Sequence, residues 1–249
     1  MSETSGALIE TRGVSKSYGA VQALSDVSLS IYPRECVALV GDNGAGKSTL
    51  IKIMCGALQP GEGHLLYKGE EVRFGSPRDA RVAGISVVHQ DLALVEELDV
   101  SSNVFLGNVP TRWLRVDRRR MARETRQVLA ELSIDIPSVQ TAVRFLSGGQ
   151  RQAVAITRAL HQGGQLMIMD EPTAALGVQE QAKVLQLIGR LSHRGYSVLV
   201  VSHNLEHVFS IADRIVVLRG GRIVGSRQKS QTSHAEIVHM IVGGVNDSE

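Results

Sequence analysis

One stretch, residues 36–49 (CVALVGDNGAGKST), constrains this chain more than any other. An apolar run stops at Gly41, a polar glycine-rich turn follows, and Lys47, Ser48 and Thr49 open the helical pattern Leu50, Ile51, Ile53, Met54. Strand, loop and helix carry Gly41, Gly46, Lys47 and Ser48 on the spacing G-x-x-x-x-G-K-[ST]. Glycines in such a loop let successive N–H groups turn inward as a nest for phosphate oxygens. The helix behind adds its free N-terminal N–H groups and the positive end of its dipole. Lys47 is the residue type that reaches β- and γ-phosphates, and a hydroxyl at Ser48 suits Mg²⁺. Nucleotide binding follows from this segment.

The 249 residues make one large domain, or a domain carrying an insertion. A net charge of +2 argues for no particular partner and is not that of a nucleic-acid binder, local patches apart. Cys36 and Cys55 lack zinc or redox spacing, so buried free thiols in a reducing compartment are expected. Residues 1–7 lack a signal-peptide pattern, and no apolar run is long enough to span a bilayer. A membrane role must come through a partner.

Strand patterns cover 8–11, 21–31 and 36–40, with Tyr18 beside a glycine turn as a hairpin cap or a base-stacking platform. Residues 60–63 predict a turn, 64–67 and 71–74 a hairpin around Lys68-Gly69, 77–83 a helix opened by proline, and 85–88 a short strand ending at His89-Gln90. Residues 91–162 read as mainly helical, without strong strand signal. Seven arginines fall between Arg112 and Arg126 beside Met121, Val128, Leu129 and Leu132. They make a solvated helix face, or a surface for anionic headgroups or an acidic partner. Apolar strands at 166–169, 197–201 and 214–218 alternate with helices at 179–194 and 205–212, which means a parallel sheet covered on both faces. The expected class is α/β: a parallel-sheet phosphate-loop NTPase core (1–90 and 163–249) with an antiparallel β subdomain and an inserted helical subdomain, about 91–162. An edge strand at 222–228, a helix at 233–242 and a frayed tail at 243–249 close the chain.

Such a core needs a carboxylate at a neighbouring strand end to hold Mg²⁺, and Asp170 follows the run 166–169. Glu171 is next, and adjacent strand residues face opposite ways, so one carboxylate can serve the metal and the other a water. His203, after the next strand, fits either a hydrogen-bonded structural role or a catalytic one. Gln90 can reach Mg²⁺ or the attacking water. Ser147 and Gln150 make a capping box opening a helix at 148–161. Gly148 and Gly149 leave bare N–H groups there, a second anion site suited to another molecule's nucleotide.

Together these residues resemble the ATP-binding subunit of an ABC transporter. The phosphate loop is GDNGAGKST (41–49), the signature LSGGQ stands at 146–150, and the strand before the catalytic acid reads LMIMDE (166–171). The resemblance implies ATP contacts from Tyr18, Gly41, Asn43, Gly44, Ala45, Gly46, Lys47, Ser48 and Thr49, and from Ser147, Gly148, Gly149 and Gln150 across a head-to-tail dimer. It implies Mg²⁺ on Ser48, Gln90 and Asp170, and catalysis by Glu171, His203 and Gln90. The stretches 83–107 and 170–180 are similar to ATPases of bacterial monosaccharide importers. That likeness implies transmembrane permease subunits, a sugar-binding protein and a position on the cytoplasmic face of the inner membrane, with 92–106 docking the permease. Many members of that subgroup carry two ATPase halves in one chain and this sequence shows one, so an identical second ATPase copy is expected. Gly177 stands where the family often has aspartate. The competing classes are a soluble ABC ATPase acting on DNA or ribosomes, and a nucleotide-binding regulator without turnover. Near-neutral charge, with no coiled coil, disfavours the first, and Glu171 disfavours the second.

Overall fold

The computed structural model describes residues 6–243. The tail expected after Gly243 lies outside them. Six strands form one sheet in the order β12-β11-β3-β10-β9-β6. These are β3 (Cys36–Val40), β6 (Ile85–Val88), β9 (Leu166–Asp170), β10 (Ser197–Val201), β11 (Arg214–Arg219) and β12 (Arg222–Gln228). All neighbours are parallel except β11 and β12, so β12 is the antiparallel edge. A second, fully antiparallel sheet has the order β2-β1-β4-β5, from β1 (Ile9–Tyr18), β2 (Val21–Ile31), β4 (Glu62–Tyr67) and β5 (Glu70–Val72).

Alternation along the central strands divides the core. Leu166 and Ile168 face the antiparallel sheet and α1 (Lys47–Met54), packing with Leu29, Ile31, Leu50 and Ile53. Met167 and Met169 face the other way, onto α5 (Gly148–His161) and α6 (Val178–His193). On α6 the buried residues Val184, Leu187, Ile188 and Leu191 follow the i, i+3, i+4, i+7 spacing of one helical face. Each such side chain contributes roughly 1.5–3 kcal/mol on leaving water. The predicted parallel sheet is therefore covered on both faces, one of them largely by β structure.

Helix α2 (Pro77–Ala83) and the Lys68-Gly69 turn stand as expected, the turn at φ 54° and 83°. Three expectations are corrected. The first strand runs on to Tyr18, because register shifts after Thr11 and Val14 let it bend without breaking. Glu62 and Gly63, read as turn, belong to β4. Within 91–162, residues 91–99 are not helical, and a small hairpin pairs β7 (Thr111–Arg112) with β8 (Arg115–Val116). Helix there is limited to α3 (Val100–Val104), α4 (Arg118–Glu131), α5 and one 3-10 turn.

Asn103 explains the first loop. Its buried amide donates to the carbonyls of Val95, Leu98 and Asp99 and accepts from the Val95 N–H at 2.8 Å. One side chain thus takes the backbone partners a helix would have used. Residues Val100, Phe105, Met121, Leu129, Val143 and Leu146 close a separate apolar cluster under α3 and α4.

Both cysteines are free and buried. Burial, with Asp213 and Glu35 nearby, pushes the Cys36 thiol up to about 12. Alkylation of the native protein is therefore expected to leave Cys36 unmodified and to label it on unfolding, as mass spectrometry would read out.

Candidate nucleotide site

Parallel pairing brings the carboxyl ends of β3, β6, β9 and β10 to one edge of the sheet. Val201 is level with Leu39 on one side and with Asp170 on the other, and Val88 is level with Met169. The phosphate loop, Gln90, Asp170, Glu171 and His203 leave from that edge, the end of an α/β sheet where ligands bind.

Between β3 and α1 the loop turns on two glycines. A side chain at Gly41 (φ 152°) would collide with the Leu218 carbonyl, and one at Gly46 (φ 105°) with the Ala23 carbonyl. Ala45 is buried, whereas Asp42, Asn43, Gly44 and Ser48 are exposed. Lys47 Nζ donates to the carbonyls of Gly41 (2.6 Å) and Asp42 (2.9 Å), arching over its own loop. Burial lowers its pKa, and the negative charges of Glu171, Asp170 and Asp42 oppose that shift.

Glu171 takes a left-handed backbone conformation (φ 50°), and its N–H donates to the Val201 carbonyl at 2.8 Å. Its Oε1 accepts the His203 N–H at 3.1 Å and lies 2.7 Å from His203 Nδ1. That distance to a carboxylate puts the ring proton on Nδ1 and leaves Nε2 free. The carboxylate is mostly shielded while the imidazole is open. Glu171, His203, Gln90 and the loop residues Gly41, Asp42 and Asn43 line one cavity of about 530 Å³.

Asp170 is half-buried, and burial followed by the nearby Glu171 raises its pKa, against His89 and Lys47. Such a group favours folding when protonated, and that contribution is lost as pH rises through its raised value. Asp170→Asn should therefore raise the Tm of the nucleotide-free protein at neutral pH. The gain should vanish below the ordinary carboxylate range, which thermal unfolding at the two pH values measures.

At the signature, Ser147 caps α5: its hydroxyl accepts the Gln150 N–H, and its own N–H donates to Gln150 Oε1 at 3.1 Å. Ser147, Gly149 and Gln150 line a second cavity of about 350 Å³ that shares no residue with the first. Within one chain these two groups of residues thus line separate cavities. The N–H of Gly149, expected to be bare, is instead taken by a carboxylate of the same chain. Glu180 is a residue the sequence reading passed over: its carboxylate accepts the N–H groups of Gly149 and Gly177, each at 3.3 Å. The Ser147 hydroxyl, followed by those two bonds, lowers its pKa. An acid in the first turn of α6 was the available signal. Tyr18 ends β1 opposite Val21 across the Gly19-Ala20 turn and is half-exposed, the place of a hairpin cap.

Residues 24–174 match the ABC transporter family. The chain is 45% identical to the xylose/arabinose import ATP-binding protein XylG of Sulfolobus acidocaldarius over 97% of this chain and 98% of that one. It is 45% identical to the fructose import ATP-binding protein FrcA of Rhizobium meliloti, covering 86% of each. Against the ribose import ATP-binding protein RbsA of Caldanaerobacter subterraneus it is 38% identical and spans 48% of that chain's length. Among solved structures, the dimeric bacterial ABC transporter cassette MJ0796 is 27% identical with a TM-score of 0.74, over 89% of this chain and 98% of that one. A nucleotide-free ATP-binding cassette superposes with a TM-score of 0.83 at 24% identity, over 95% and 99%, and speaks for the fold alone. The chain belongs to the ABC transporter family, as one of its ATP-binding ATPase cassettes.

Proposed function

We propose that this chain hydrolyses ATP to power monosaccharide import, working as a head-to-tail pair of identical copies on the cytoplasmic face of the inner membrane. The observation that supports the pairing is that the phosphate loop and the signature line separate cavities within one chain. The phosphate loop (Gly41, Asn43, Gly44, Ala45, Gly46, Lys47, Ser48, Thr49) holds one ATP, with Tyr18 against the base. Ser147, Gly148, Gly149 and Gln150 of the other copy close on its γ-phosphate. In this reading the helical subdomain, about 91–162, is the arm that carries the signature.

Ser48, Gln90 and Asp170 offer a hydroxyl, an amide oxygen and a carboxylate, the hard oxygen donors that suit Mg²⁺ beside phosphate. Among the described residues no three His, Cys, Asp or Glu side chains form a metal cluster, which suits an ion held chiefly by its nucleotide. Bound there, Mg²⁺ would supply positive charge against the nucleotide's phosphates. Glu171 orients the attacking water and takes its proton. His203 holds that carboxylate through Nδ1 and leaves Nε2 for the γ-phosphate. Lys47 leaves its loop carbonyls for the phosphates.

Among the described residues no helix is long and apolar enough to cross a membrane. The reading therefore includes multi-span permease subunits and, beyond them, a sugar-binding protein. The docking segment is 92–106, whose Ala93 and Leu106 line a groove of about 440 Å³ with Val87 and Arg158. Purification from solubilised membranes tests the reading. Permease subunits should co-purify, a monosaccharide with its binding protein should stimulate the ATPase, and Leu106→Asp should prevent assembly. Hydrolysis indifferent to every sugar in the assembled complex would contradict it.

A further inference from the structure

The β7–β8 hairpin has no part in the nucleotide chemistry, yet it is costly to build. Trp113 and Leu114 form its two-residue tip, both at positive φ (50° and 63°). Hairpin tips of this left-handed kind are normally filled by glycine, asparagine or aspartate, because a Cβ is strained there. Here two large apolar side chains are 90% and 102% exposed, with Val116 half-exposed beside them. Strain and apolar exposure coincide at a convex tip.

Exposed arginines flank it in sequence. Arg120 pairs with Glu124 at 2.7 Å, and Arg123 lies 3.9 Å from the same carboxylate. Arg112, Arg115, Arg118, Arg119 and Arg126 make no ion pair among the described residues. A solvated helix face accounts for arginines on α4, but not for an indole and a leucine held out in water. Tryptophan settles at the headgroup level of a bilayer, leucine enters the acyl boundary, and guanidinium groups pair with lipid phosphates. A protein partner would instead need a concave, acidic pocket to receive the same tip.

We propose that the hairpin 111–116 is a lipid-contact finger that seats on an anionic membrane surface through Trp113 and Leu114, with the flanking arginines on the headgroups.

Trp113 is the only tryptophan in the chain, so its fluorescence reports on the tip alone. The full chain is titrated with vesicles of phosphatidylglycerol in phosphatidylcholine, and with phosphatidylcholine alone. The expected result is a blue shift and co-sedimentation with the anionic vesicles, weakening as salt rises. Arg115→Glu should weaken partitioning by about fivefold or more, the worth of one basic residue at such a surface. Leu114→Asp keeps the fluorophore and alters a side chain wholly in solvent. It should leave thermal unfolding unchanged and abolish the shift. No shift with anionic vesicles would overturn the proposal, as would an equal shift with phosphatidylcholine alone. A shift produced only by permease in lipid-free detergent would overturn it too, by assigning the tip to a protein partner.

Discussion

Glu171→Gln should lower steady-state ATP hydrolysis by about 100-fold or more while ATP binding survives, leaving an ATP-bound dimer that gel filtration separates from monomer. The size follows from what a positioned general base contributes, about 10² to 10⁴. Glutamine keeps the shape of the side chain and can still accept the His203 N–H, so the loop after β9 should hold. What is lost is the capacity to take a proton, together with the negative charge that strengthens the bond to His203 Nδ1 at 2.7 Å. His203→Ala should cost less, because it loosens the carboxylate without removing it. Unchanged turnover in Glu171→Gln would refute the assigned role.

Two inactive proteins should restore each other. Lys47→Ala spoils the phosphate loop and Ser147→Arg blocks the signature, so each alone should be silent. In a mixed dimer, one site joins the intact loop of the Ser147→Arg copy to the intact signature of the Lys47→Ala copy. The proposed two-fold pairing requires this, since each copy would give the other the same surface. ATPase activity should therefore reappear on mixing, from one working site per mixed dimer. Were each chain to hold a complete site of its own, mixing would restore nothing.

Much of this was legible in the sequence because local chemistry decides it. The phosphate loop, the capping box at Ser147 and Gln150, and the apolar runs of β3, β9 and β10 each follow from a few adjacent residues. Where side-chain partners rather than periodicity decide, the reading failed. Asn103 turns 91–99 into a loop through bonds no periodicity reveals. The β7–β8 hairpin has two-residue strands, too short for any alternation to show. At the site, Asp170, Glu171, Gln90 and His203 could be read as strand ends. Glu180 could not be read as a partner of Gly149, 31 positions away, because only the packing of α6 on α5 brings them together.

That same carboxylate bears on Gly177. With no side chain there to cap α6, Glu180 accepts the Gly177 N–H and ties the segment to the signature in the same chain.

The central claim is that Lys47 of one copy and Ser147 of the other serve one ATP. Cysteines introduced by Gly44→Cys and Ser147→Cys test it most directly. No atom lies within 4 Å of a Cβ built at Gly44, so the strain of a side chain at its φ of 82° is the one cost there, and the native thiols are buried and stay silent. Oxidation of the doubly substituted, permease-bound protein should give a covalent dimer when ATP is present and hydrolysis is blocked by Glu171→Gln, and none without nucleotide. Absence of the 44–147 crosslink under those conditions, with ATP demonstrably bound, would contradict the shared site.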